Sequence, residues 1–109
     1  MNSGTNFKSG DIVLVNVHFT DHLEIKKRPA LILYIIGNTA VIAGITSNTR
    51  SRGILITEKE GMAKDSVLKL NNVFSVDLKN LDKKYMTLNK EKRIMIANEI
   101  KEKLSQLIY

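Results

Sequence analysis

The sequence predicts a mainly β domain, a small, curled antiparallel barrel with one amphipathic C-terminal helix packed on it. Three observations lead there. Short apolar, β-branched runs succeed one another from Asp11 to Leu78 with turn residues between them. From Lys90 the apolar spacing becomes that of a helix. The chain of 109 residues has no cysteine, which leaves room for one core and excludes a disulfide framework. About six short strands are too few for a large sandwich, so closure into a barrel is expected, with residues 1–109 forming a single domain.

Each element has its own signature. Asp11 to Phe19 reads DIVLVNVHF and places Ile12, Leu14 and Asn16 on one face and Val13, Val15 and Val17 on the other, a strand covered on both sides. Thr20 to Lys27 is polar and aperiodic, and Pro29 is unsuited to a central ladder, so a loop is expected to end there as the chain re-enters the sheet. Ala30 to Ile36 and Ala40 to Thr46 flank Gly37, Asn38 and Thr39 and so pair as a hairpin. Ser47 to Arg52 reads as a polar loop, Ile54 to Thr57 as a short strand, and Glu58 to Lys64 as a turn around Gly61. Ser66 to Leu70 and Val73 to Leu78 complete the β set, broken by Asn71 and Asn72. In the helix, Ile94, Ala97, Ile100, Leu104, Leu107 and Ile108 form the apolar stripe, Asn89 is the N-cap, and Glu99 faces Lys103.

Composition narrows the chemistry. Without cysteine there is no thiolate metal site, iron–sulfur cluster or cysteine nucleophile, and two histidines leave little for zinc. Asp11, Asp21 and Glu24 are too dispersed to suggest a metal site. The polar start and the lack of a long apolar run predict a cytoplasmic protein with no membrane partner. No phosphate-binding loop, nucleophile elbow or dinucleotide fingerprint is present. The net charge of +6 is unevenly placed: residues 26–57 hold Lys26, Lys27, Arg28, Arg50 and Arg52 and no acid. A positive field beside a rigid sheet suits phosphate and points to nucleic acid, although lysine-rich basic chains are also common without that role.

Individual residues then stand out. Arg28 sets a five-donor guanidinium before a proline of fixed φ, at the mouth of a strand; the plain alternative is a solvated member of the Lys26–Lys27–Arg28 cluster. Thr46 and Ser47 end an apolar strand, where a hydroxyl can donate to a phosphate oxygen or simply start a turn. His18 and His22 have near-neutral reference pKa values and are the default acid or base, against the alternative of solvated strand-end and loop positions. Asp65 and Ser66 read most simply as turn formers.

Taken in order, Gly10-Asp11-Ile12-Val13-Leu14-Val15, Lys27-Arg28-Pro29-Ala30-Leu31-Ile32, Ile45-Thr46-Ser47, Asp65-Ser66-Val67 and Phe74-Ser75-Val76-Asp77 resemble the PemK/MazF family of toxin-antitoxin ribonucleases. The resemblance implies an SH3-like barrel and a homodimer whose groove receives single-stranded RNA. It implies sequence-specific cleavage of mRNA without metal or other cofactor, and an antitoxin whose disordered tail fills the same groove. Arg28 and Thr46 match the family's catalytic arginine and threonine, and His22 takes the place of a loop histidine found in some members. Lys26, Lys27, Ser47, Arg50, Arg52, Lys69 and Asn71 are then expected to hold RNA. Lys69 and Asn71 stand where some members carry an arginine and an aspartate, so that acid–base pair is not available here. Asn72 stands where a glutamine is frequent.

The resemblance implies attack of a 2′-hydroxyl on the neighbouring phosphate, with Arg28 stabilising the dianionic transition state, Thr46 aligning it, and His22 or water taking the proton. Two other classes remain: a poison that binds a protein, as gyrase-inhibiting toxins of the same barrel do through their terminal helix, and a non-catalytic single-strand-binding module. Against the latter, aromatic residues are only 6% of the chain, fewer stacking platforms than such binders usually present.

Overall fold

Ile12, Val13 and Val15 are all essentially inaccessible to solvent, and successive side chains of a strand leave on opposite faces, so β1 (Asp11–His18) is covered on both sides. The computed structural model describes residues 7–18 and 25–109, the side chains of residues 17, 18, 25 and 26 excepted. Five further strands follow: β2 (Ile25–Ile36), β3 (Thr39–Thr46), β4 (Ile54–Ile56), β5 (Ser66–Asp77) and β6 (Leu81–Thr87). They form one antiparallel sheet in the order β4-β5-β3-β2-β1-β6, followed by α1 (Lys90–Leu104).

One face of the sheet carries Ile12, Leu31, Ala43, Ile45 and Leu68, covered by Ile96 of α1 and by Ile56, Met62 and Leu88. The other carries Val13, Val15, Ala30, Ile32, Ala40, Ile42 and Leu81, with Phe7, Val76 and Leu78 packed against it. The mainly β class with a terminal helix is as expected; the closed barrel is not. Strands β4 and β6 are the two ends of the ladder and do not pair with each other.

Four elements depart from the sequence reading. Pro29 lies inside β2 rather than ahead of it, opposite Leu14 of β1. Pairing with β3 begins one residue later, at Ala30–Gly44, so the missing N–H falls where β2 has a single neighbour. Asn71 and Asn72 do not separate two strands. Both halves of β5 pair with β3, and the step from Ala43 to Ile45 is matched by the longer step from Val73 to Leu68, so the asparagines sit in a bulge. The sixth strand is instead β6, whose Asp82, Lys83 and Lys84 disguise it; charged side chains suit an edge strand because they discourage further pairing.

The helix starts as expected, with the Asn89 side chain accepting from the Lys92 N–H at 2.8 Å, and Lys103 reaches Glu99 at 3.6 Å. Its buried stripe differs. Ile96 is buried and Ile100 partly so, whereas Ile94, Leu104, Leu107 and Ile108 are exposed. The contact row therefore runs through Lys92, Ile96 and Ile100 at i, i+4 and i+8.

Lys92 is 11% exposed and ties α1 to the sheet, donating to the Leu55 carbonyl at 2.7 Å and pairing with Glu60 at 3.2 Å. Burial works to raise the Glu60 pKa, but the Thr57 N–H and Lys92 together outweigh it and hold the carboxyl below its ordinary value of 4.5. A depressed folded-state pKa contributes stability above the unfolded value and loses it as pH falls through the folded one. We therefore expect the urea midpoint to drop on acidification below about pH 4.5, and Glu60→Gln to flatten that part of the profile.

Candidate functional site

The hairpin of β2 and β3 decides where the predicted residues lie. Gly37 takes φ 58° in the turn, a conformation that favours glycine and sets the two strands in register. With Ala30 opposite Gly44, the next same-face positions toward the open end are Arg28 on β2 and Thr46 on β3. Two residues remote in sequence thus reach one rim of the sheet.

Thr46 is the last residue of β3. Its Oγ1 accepts from the Asn48 N–H at 3.1 Å, and Asn48 Oδ1 accepts in turn from the Arg50 N–H at 3.1 Å. The turn-forming role anticipated for this pair is real and compatible with a second one: an oxygen that accepts from the backbone still has its own hydrogen to donate.

Two clefts meet at this rim, sharing Arg28, Pro29, Ile45 and Thr46. The first, of about 290 Å³, adds Ser47, Lys64, Ser66 and Tyr85; the Tyr85 hydroxyl accepts from the Ala63 N–H at 2.7 Å. The second, of about 370 Å³, adds Gly44, Lys69, Asn72 and Phe74. Among the described residues no carboxylate lines either cleft, while Arg28, Lys64 and Lys69 bring positive charge. Such a place is suited to a phosphodiester. A larger cavity of about 450 Å³ lies between α1 and β2, lined mainly by apolar side chains such as Leu31, Leu33 and Ile100, and contains none of the predicted catalytic or RNA-contacting residues.

The other predicted residues scatter. Ser47 lines the first cleft and Lys69 the second. Lys27 pairs with Asp82 of β6 at 3.1 Å and lines neither. Arg50 is exposed on the loop after β3, while Arg52 and Asn71 line a separate groove with Glu99 and Lys103. His22 and the side chain of Lys26 lie outside the described residues, as does that of His18.

Lys64, Tyr85, Asn72 and Phe74 were not among the residues assigned a role from sequence, although all line the clefts. Tyr85 gave little signal, because Asp82, Lys83 and Lys84 hide the strand and its register against β1 shifts at two places, which removes a simple alternation. The loop that carries Arg50 and Arg52 closes at Gly53, whose φ of 154° lies in a region L side chains rarely adopt. A Cβ there would run into the Leu68 carbonyl oxygen and lie 2.6 Å from Val67 Cγ1. Gly53→Ala should therefore cost more than about 1 kcal/mol in urea denaturation.

Comparison with known proteins adds two findings. Residues 8–104 match the model of the family described as PemK-like, MazF-like toxin of type II toxin-antitoxin system. Among solved structures, the chain is similar to one in the crystal structure of MazE-MazF (form II) from Deinococcus radiodurans. The two share 18% identity over 93% of this chain and 94% of that one, with a TM-score of 0.67, a likeness of fold. No curated protein matches the chain.

Proposed function

The chain belongs to the PemK-like, MazF-like toxins of type II toxin-antitoxin systems, and from that premise we propose that it is a metal-independent endoribonuclease cutting single-stranded mRNA at specific sequences. The observation that carries this reading is the meeting of Arg28 and Thr46 on the rim shared by two cationic clefts that have no carboxylate among their described lining residues.

The reaction asks little of the protein beyond placing charge. The 2′-hydroxyl of one nucleotide attacks its own 3′-phosphate, the bond to the next 5′-oxygen breaks, and the products carry a 2′,3′-cyclic phosphate and a 5′-hydroxyl. Arg28 donates to the two non-bridging oxygens, where negative charge grows in the transition state. Thr46 donates to one of them and fixes the phosphate against the end of β3. His22, or a water, takes the 2′-hydroxyl proton, and the departing 5′-oxygen takes up a proton from water to become the 5′-hydroxyl. Ser47, Lys64 and Lys69 hold the flanking backbone. The protein works in the cytoplasm as a homodimer, and a cognate antitoxin silences it by covering the clefts.

Incubating the purified chain with a long single-stranded RNA in the presence of chelator, and mapping the new ends, tests this. Cuts at a recurring short motif with cyclic phosphate ends are expected; intact RNA, or cleavage that the chelator stops, contradicts it. A second reading is favoured by one observation, the exposure of Leu104, Leu107 and Ile108 at the end of the helix: a poison that seizes a protein target through that helix. It predicts intact RNA in the same assay.

A further inference from the structure

We propose that Asn72 and Phe74 form the base-recognition subsite beside the scissile phosphate, Phe74 stacking on one unpaired base of single-stranded RNA and the Asn72 amide reading that base's edge. This rests on the ribonuclease reading and names what selects the sequence.

The subsite is built by the bulge in β5. Residues 69–72 have no paired residue on β3 and lie opposite Gly44, between the Ala43–Val73 and Ile45–Leu68 pairs. Gly44 does not have a positive φ, so its backbone makes no demand for glycine. Space does. A Cβ at Gly44 would overlap Asn72 Nδ2 and approach Cγ to 3.4 Å, so the bare α-carbon is what lets the amide lie across β3. The Asn72 side chain makes no hydrogen bond among the described residues and is exposed, which leaves a donor and an acceptor side by side. That pair matches the donor–acceptor edge of an unpaired base.

Phe74 follows just past the bulge, where pairing with β3 has resumed, and lines the same cleft. It is 39% exposed, although it pairs in register with Ile42, which is fully buried. An aromatic ring open to a cleft beside Lys69 and Arg28 combines the two elements of single-strand binding, a stacking face and cations for the flanking phosphates. The volume of about 370 Å³ leaves room for a nucleotide. Among the described residues a peptide partner would find no carboxylate here to meet its own cations, whereas Arg28 and Lys69 fit a polyanion.

The test separates binding from chemistry. Short single-stranded RNAs made uncleavable by 2′-O-methyl groups, and differing in one base at a time, are titrated into the full chain by fluorescence anisotropy. The wild type should bind and prefer one base at one position. Phe74→Leu should raise Kd by roughly 5- to 140-fold for every oligonucleotide, and Phe74→Trp should restore it, a rescue that a loss of folding would not give. Asn72→Ala should level the Kd values among the four bases. Absence of binding by the wild type, an unchanged Kd in Phe74→Leu, or an unchanged base ranking in Asn72→Ala overturns the proposal. The two readings fail separately: a chain that shows these binding effects yet cuts no RNA sinks the ribonuclease and keeps the subsite. A chain that cuts RNA with unchanged KM in Phe74→Leu does the reverse.

Discussion

Arg28→Ala should cut RNA about 10² to 10³ times more slowly than the wild type, the loss typical of one preorganised donor to a developing oxyanion. Arg28→Lys restores the charge and separates two roles. If a positive field were all that mattered, lysine would return most of the rate. A guanidinium that spans two oxygens of one phosphate cannot be replaced by a point charge, so recovery should be partial. The measurement is a single-turnover rate at saturating RNA alongside a urea midpoint for each variant. The local geometry makes this a severe test. Arg28 stands two residues outside the β2–β3 ladder, next to a proline that has no N–H to pair, so the pairing of the hairpin does not run through it.

Thr46→Val is expected to lower the rate by about 10², with KM changed far less. Valine keeps the β-branched shape that suits the end of β3 and removes only the oxygen. That oxygen also accepts the Asn48 N–H, so about 1 kcal/mol of stability goes with it. Thr46→Ser distinguishes the roles, since serine retains the hydroxyl for both. Activity close to that of the wild type in Thr46→Ser and a large loss in Thr46→Val would tie catalysis to the hydroxyl. Equal rates in the two variants would reduce Thr46 to a turn former.

Much of the fold could be read from residue types because local rules governed it. Gly37 and Asn38 marked the hairpin, Asn89 marked the start of the helix, and β1 announced burial on both faces through Ile12, Val13 and Val15. What escaped depended on neighbours. Asn71 and Asn72 read as a break, and only the continued pairing with β3 on both sides makes them a bulge. Strand β6 escaped because an edge position tolerates lysines that would mark a loop elsewhere. The helix stripe was misplaced since Lys92 lays its stem along the sheet and carries its charge to Glu60, a contact that apolar spacing does not register.

The candidate site divides in the same way. Arg28 and Thr46 were each identifiable from sequence order, but their adjacency follows from the Ala30–Gly44 register. Arg52 and Asn71 carry suitable chemistry and lie in a different groove, because loop and bulge residues do not follow strand alternation. Phe74 and Tyr85 were hidden for a further reason: aromatic residues in strands are ordinarily core, and only their partial exposure sets them apart.

The central claim is that Arg28 and Thr46 act on one phosphate, and a double-mutant cycle on single-turnover RNA cleavage tests it most directly. If both grip the same scissile diester, the Arg28→Ala, Thr46→Val double variant should be scarcely slower than the worse single variant, since groups that act as a unit lose their effect together. Rate losses that multiply in full, or a single variant that cuts as fast as the wild type, would contradict it.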